Sequence, residues 1–226
     1  MILRLHLETD GTAPPDSLWS RMKADPQYAP EHLALEAVRR LGPEAAEWAA
    51  RTRAERPGLT PDELAALAVK RFTTLARLSG ALSGVAGLPG AVADVGVLAW
   101  TQARMVLHLA AAYGVDPAAT ERATDLLVLQ GVHKVAATAR TALGVAAGRE
   151  RAGRLFSDGQ GGTVLKLSLR LARMAGVRAG RKVFAKVVPG AGVILGTWVN
   201  SAATKSLAKR SQEHFRNGWG GFVVRR

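Results

Sequence analysis

Leu75-Ala76-Arg77-Leu78-Ser79-Gly80 leads to Leu88-Pro89-Gly90-Ala91, and later Leu171-Ala172-Arg173-Met174-Ala175-Gly176 leads to Val188-Pro189-Gly190-Ala191. In each copy an apolar, glycine-spaced segment stops at Pro-Gly and a second apolar segment begins, with a further glycine at Gly96 or Gly196. Proline cannot donate to a helix it interrupts, so the phrase reads as two uncharged helix–break–helix units. Strand patterns are nearly absent. The expected fold is therefore all-α: a multi-helix bundle built from two related helix–Pro-Gly–helix units, with a short irregular N-terminal arm.

Start and stop signals extend this outward. Pro14-Pro15, Pro26 and Pro30 break any long element in the first thirty residues, which read as an irregular arm. Pro30-Glu31 opens a helix that Leu41-Gly42-Pro43 breaks, and Glu44 to about Glu55 forms the next. At Thr60-Pro61-Asp62-Glu63, Thr60 caps, Pro61 takes the first helical position and Glu63 completes a capping box. Leu64, Leu67, Ala68, Phe72, Leu75, Leu78 and Leu82 then keep helical spacing. After Pro89-Gly90 the apolar pattern runs to Tyr113-Gly114, where glycine suits a helix C-cap. Asp116-Pro117 starts a further helix through Leu126, Leu127, Leu129 and Val132 toward Ala147. Gly148 to Gly162 is basic and then glycine-rich, a connection between halves, and the second unit begins near Thr163. The expected organisation is an arm with short helices over 1–58, a helical domain over 59–214 and a flexible basic and aromatic tail over 215–226.

The chain of 226 residues carries a net charge of +13, unevenly placed. Residues 1–125 hold 13 Lys and Arg against 15 Asp and Glu, whereas residues 126–226 hold 18 against three, Glu150, Asp158 and Glu213. That asymmetry implies an anionic partner for the second half. Cysteine is absent, which excludes disulfides and thiolate chemistry and fits a reducing compartment. The first thirty residues lack a continuous apolar stretch of the signal-peptide kind, so the expected location is cytoplasmic, peripheral on the inner membrane at most.

Two uncharged windows, Leu78 to Ala93 and Val187 to Thr204, approach membrane length. Spanning takes roughly 20 mostly apolar residues. The first window has Pro-Gly in its middle and then Asp94; the second contains Pro189, Thr197, Asn200, Ser201 and Thr204. Each arm before its Pro-Gly is too short to cross alone, and the glycines suit close helix packing instead.

No constellation for catalysis emerges. Asp94, four residues after Gly90, reads as first-turn compensation of a helix dipole. Gln102 and Asn200 are polar residues on apolar helices and read as interhelical hydrogen-bond partners; with Asp94 they are the candidate buried polar cluster. His108 and His133 have no ligating residue at i+4, which leaves no metal pair, and His6, His32 and His214 lie far apart. Ser79, Ser83 and Ser168 lack a paired base. Gly80 to Gly84 and Gly176 to Gly180 follow no strand and end in no Gly-Lys-Ser/Thr, so neither cradles a nucleotide. The sequence implies no cofactor and no metal, and leans away from an enzyme.

The basic residues carry the remaining signal. Lys166, Arg170 and Arg173 share a helical stripe opposite Leu165, Leu169 and Val177, and Arg178, Arg181, Lys182 and Lys186 continue it. Lys205 and Lys209 repeat the spacing, with Arg210 beside them. No helix-turn-helix or finger context accompanies them, and Phe184 is the single aromatic in the first stretch, which argues against nucleic acid. Clustered cations beside apolar surface suit an anionic membrane, with Trp198, Trp219 and Phe222 as interfacial anchors. An acidic protein face is the alternative partner. A small-molecule pocket between the units, near Asp94, Gln102 and Asn200, is a further one.

Gly87-Leu88-Pro89-Gly90, Asp94, Gln102-Ala103-Arg104-Met105, Leu109-Ala110 and Tyr113-Gly114-Val115-Asp116 together resemble the EcsC family of bacterial proteins. Val187-Val188-Pro189-Gly190-Ala191-Gly192 with Asn200 resembles that family's second signature. The resemblance covers about Leu64 to Phe215. It implies a helical, cytoplasmic, membrane-peripheral protein linked to transport, secretion or envelope homeostasis, and it supplies no catalytic residues.

Overall fold

The computed structural model describes residues 14–82, 88–153 and 191–218. Seven α-helices occupy them, with no strand among the described residues: α1 Asp16–Ala24, α2 Ala29–Glu55, α3 Pro61–Leu82, α4 Leu88–Ala112, α5 Glu121–Leu129, α6 Ala136–Gly153 and α7 Ala191–Arg216. A single 3-10 turn, Pro26–Tyr28, joins α1 to α2. The all-α expectation holds.

α4 is the centre. Every residue from Gln102 to Ala112 is buried, and a helix apolar on all sides needs neighbours all round. α2, α3 and α7 supply them, while α5 and α6 pack on α2. Cross-helix contacts fix the directions. Glu44 meets Arg104, and Arg53 meets Ala111 and Ala112, so α2 runs parallel to α4. Asp62 meets Tyr113 while Phe72 meets His108, so α3 runs antiparallel to it. Thr204 meets Gln102 and Arg216 meets Tyr113, so α7 runs parallel. The fully buried Leu33, Leu41, Leu64, Phe72, Trp100 and Leu107 fill the space between these helices. Each such side chain stabilises the fold by about 1.5–3 kcal/mol relative to exposure.

The local signals hold where expected. Glu63 N–H donates to Thr60 Oγ1 at 3.3 Å, and Thr60 N–H donates to Glu63 Oε2 at 2.8 Å, which closes the capping box at the start of α3. At the end of α4, Gly114 has φ +76°. Val115 N–H donates to the Ala110 carbonyl at 2.9 Å and Gly114 N–H to Ala111 at 3.1 Å, a Schellman closure. The Arg53 guanidinium adds donors to the Ala111 and Ala112 carbonyls at 2.8 and 3.0 Å. Gly114→Ala places a Cβ in left-handed backbone, and an expected loss of about 1 kcal/mol follows, readable as a lower urea midpoint.

Several expectations are corrected. Gly42-Pro43 does not break α2, which runs through it as one helix of 27 residues. Pro43 removes the donor to the Arg39 carbonyl, but both residues are exposed, so the missing bond falls on the solvent side of the helix. Residues 16–28 are not irregular: they form α1 and the 3-10 turn, with Leu18 and Met22 wholly buried. Trp19 lies against Gly96, where an added Cβ would stand 2.1 Å from the indole, so a glycine of the repeated phrase seats a residue of the arm. The helix expected from Asp116-Pro117 toward Ala147 is two helices. It starts later, at Glu121, and stops where Gly131 turns left-handed at φ +71°, with Val132 N–H closing on the Leu127 carbonyl. The segment from Gly148 to Gly153 belongs to α6 rather than to a loop. Phe215, placed in the tail, is a buried residue of α7. Pro89-Gly90 falls in the first turn of α4, whereas Pro189-Gly190 lies outside the described residues.

Candidate functional site

Gln102, Arg104 and His108 of the largely apolar helix α4, and Tyr113 just beyond its end, reach out to neighbouring helices. Gln102, buried, donates from Nε2 to Thr204 Oγ1 of α7 at 3.3 Å. Arg104, buried, donates from Nε to Glu44 Oε1 of α2 at 2.8 Å, and its guanidinium stands 5.7 Å from the Phe72 ring of α3. His108 sits between Trp48 of α2 and Phe72 of α3, with ring centroids at 4.9 and 4.8 Å. Tyr113 donates its hydroxyl to Asp62 Oδ1 of α3 at 2.6 Å, and Arg216 of α7 donates to the same oxygen at 2.6 Å. Gln102, Arg104 and Tyr113 belong to the phrase that carries the family resemblance. Their geometry makes that phrase a set of interhelical clasps holding α2, α3 and α7 on one central helix.

The electrostatics agree with a holding role. Burial drives the His108 pKa down to about 3; the hydrogen bond to the Arg104 carbonyl opposes this, and the charges of Arg104 and Arg71 add to it. The ring is thus neutral, with Nδ1–H donating to the Arg104 carbonyl at 2.8 Å. Burial likewise lowers the His32 pKa against its hydrogen bond with Asp25. Burial, followed by its hydrogen bond to Asp62, raises the Tyr113 pKa.

Of the expected polar cluster, Gln102 is an interhelical partner as read, bonded to Thr204. Asp94 lies in the second turn of α4 rather than the first, because the helix begins at Leu88. Asn200 lies one turn before Thr204 on α7; the side chains of Asp94 and Asn200 are outside the described residues. Sequence reasoning missed Arg104 and His108 as clasps. The available signal was a lone cation and a lone histidine inside an otherwise apolar helix.

Of the basic residues, Lys166, Arg170, Arg173, Arg178, Arg181, Lys182 and Lys186 lie outside the described residues, as do Trp219 and Phe222. Lys205 and Lys209 are exposed, one turn apart, on the face of α7 opposite the buried Thr204, Leu207, Ala208 and Ser211. Arg210 has a different setting: its Nε and Nη2 donate to the Leu129 carbonyl at 3.3 and 3.2 Å and close the end of α5. Among the described residues no group of three or more His, Asp or Glu is placed to hold a metal, and no helix is long and apolar enough to cross a membrane.

A family model described as the EcsC protein family matches residues 60–219. No curated protein matches the chain, and no solved structure does.

Proposed function

We propose, because this chain belongs to the EcsC family, that it is a non-enzymatic helical adaptor bound peripherally at the inner face of the membrane. In this reading it serves transport, secretion or envelope homeostasis. One observation carries the reading: residues 126–226 hold 18 Lys and Arg against three Asp and Glu. Charge of that density attracts anionic headgroups at about 1 kcal/mol for each cation near the surface. The exposed Lys205 and Lys209 on the outward face of α7 support it, and the polar side chains of α4 support a non-catalytic role because they hold neighbouring helices.

Vesicle flotation tests the reading. The full chain is expected to float with vesicles containing anionic lipid and to stay behind with neutral ones. Equal partitioning to both, or to neither, overturns it. Replacing Lys205 and Lys209 by Gln is expected to weaken anionic-vesicle binding about fivefold per lysine, from about 1 kcal/mol each. Arg210→Gln instead lowers stability through the exposed end of α5. An acidic protein partner is the second outcome: binding that survives without vesicles but fails after charge reversal of Arg170, Arg173 and Lys186.

A further inference from the structure

A row of lysines crosses from α7 onto α3, a helix in the half of the chain that carries more acids than bases. The two helices run antiparallel and pack along their length, and at one end Arg216 Nη2 donates to Asp62 Oδ1 at 2.6 Å. The side chains of that pair are 51% and 58% exposed, so it marks the outer edge of the seam between α3 and α7. On α7, Lys209 and Lys205 lie seven and eleven residues before Arg216, which keeps all three on one helical stripe. On α3, Ala66 and Lys70 lie four and eight residues after Asp62, along the stripe that starts there. At a rise of about 1.5 Å per residue, Lys70 stands about 12 Å and Lys209 about 10 Å from the Asp62–Arg216 pair. The two are therefore nearly level across the seam, with Lys205 one turn further. All three lysines are exposed, and among the described residues none forms an ion pair.

The acids around this row leave its balance positive. Asp62 is shared by Arg216 and Tyr113, and Glu63 closes the capping box on Thr60. α3 carries no acid after Glu63, and α7 carries one, Glu213, a turn beyond Lys209. Arg210 offsets it, because its own partners are the uncharged Leu129 carbonyl and Ser206 hydroxyl. The acid of α4, Asp94, lies fourteen residues before His108, which packs on Phe72. That is about 21 Å along the helix, beyond the screening length of about 8 Å at physiological salt. On the other flank of α7, Asp125 of α5 is held by Arg122 and His214. The exposed arginines of α2 are committed elsewhere: Arg39 and Arg40, with Arg21 of α1, donate to the buried Glu36. Burial raises the Glu36 pKa, but those hydrogen bonds outweigh it and hold the group at about 2.

Lysine is a compact point charge on a flexible stem. Three of them spread over two helices offer no fork for a single anion and suit charges laid out in a plane. Small residues lie between them, with Ala66 and Ala202 exposed, so α3 and α7 present a shallow two-helix face. We propose, resting on the membrane-peripheral reading above, that the α3–α7 seam is the face that docks on an anionic lipid surface. Lys70, Lys205 and Lys209 enter the headgroup layer, and both helix axes lie in the membrane plane. The charge asymmetry of the sequence assigns no part in this to Lys70, which belongs to residues 1–125.

The test measures binding of the full chain to vesicles of phosphatidylcholine with phosphatidylglycerol. Lys70→Gln is expected to weaken it about fivefold, as Lys209→Gln does, with the thermal midpoint unchanged. Arg51→Gln, exposed on α2, is expected to bind as the parent does. The chain has no cysteine, so Ala66→Cys and Ala202→Cys can each carry a single environment-sensitive fluorophore, with Ala50→Cys on α2 as the reference. The label is expected to shift to the blue on these vesicles at 66 and 202 and to stay unchanged at 50. A parent that binds while Lys70→Gln binds equally well overturns the docking face and leaves the peripheral reading standing. So does a label at 50 that responds as strongly as those at 66 and 202, or an Arg51→Gln loss equal to that of Lys70→Gln. A parent that ignores these vesicles overturns both, and the same lysines governing binding to duplex DNA in their place would make the face a nucleic-acid one.

Discussion

Gly42→Ala is expected to destabilise the protein by about 1–2 kcal/mol, although helix propensity alone favours it. Alanine in a helix interior gains roughly 1 kcal/mol over glycine. At this position, however, a Cβ would stand 2.7 Å from Ala118 Cα and 2.8 Å from the Pro117 carbonyl oxygen. Those are main-chain atoms, and they do not swing aside as a side-chain tip does. Ala118 N–H donates to Asp116 Oδ1 at 2.9 Å, and the Schellman closure at Gly114 holds the start of the same segment. Overpacking of this kind typically costs about 1–3 kcal/mol, and here the intrinsic gain is overwhelmed. Gly144→Ala is the matched control, since Gly144 lies inside α6 with nothing within 4 Å of the added carbon. It is expected to gain up to about 1 kcal/mol. The same chemical change thus has opposite signs at two helical glycines. Urea unfolding of both variants decides the matter, and a stabilised Gly42→Ala would show that the 116–118 segment yields.

Acid is expected to weaken the fold well before its carboxylates protonate, through His108. An unfolded histidine titrates near pH 6.5, whereas burial holds His108 at about 3. Below pH 6.5 the unfolded chain therefore binds a proton that the folded chain refuses. Stability falls by about 1.4 kcal/mol per pH unit from there toward pH 3, so about 2–3 kcal/mol is gone by pH 4.5. Glu36 opens a second window. Its folded pKa of about 2 lies below the ordinary 4.5, so its contribution is complete above pH 4.5 and is lost as pH falls toward 2. His108→Phe removes the first titration and the hydrogen bond to the Arg104 carbonyl. The variant is expected to be about 1 kcal/mol less stable at pH 8. Its stability should then decline more gently below pH 6.5, so the two curves converge and cross near pH 6. An unchanged slope between pH 6.5 and 4.5 would count against the assignment. His32, also lowered by burial, contributes equally to both proteins and cancels in the comparison.

The clasps on α4 give the repeated phrase a different meaning from the one it suggests at first. A doubled Pro-Gly flanked by uncharged helices invites a membrane hairpin. In the folded chain α4 is buried on every side from Gln102 to Ala112 because α2, α3 and α7 surround it, and the glycine at position 96 admits Trp19. The hydropathy of this helix describes burial in protein. Its second copy, up to Pro189-Gly190, lies outside the described residues, so the likeness between the units remains a property of the sequence.

What the sequence determined by itself is local. The capping box at Thr60 and Glu63, the left-handed stop at Gly114, the helical spacing from Leu64 to Leu75 and the charge asymmetry all rest on interactions within a few residues or on composition. Each is readable because backbone geometry and three- or four-residue spacing carry it. Tertiary structure decided the rest. Pro43 is tolerated because it and Arg39 face water, and Gly42 is required because Pro117 and Ala118 press on it. Arg210 closes the end of α5, and Arg104, His108 and Tyr113 hold helices whose partner residues lie thirty or more positions away. Those pairings depend on how α2, α3 and α7 are registered around α4. Register is set by the packing of whole helices, for which no short stretch of sequence carries the signal.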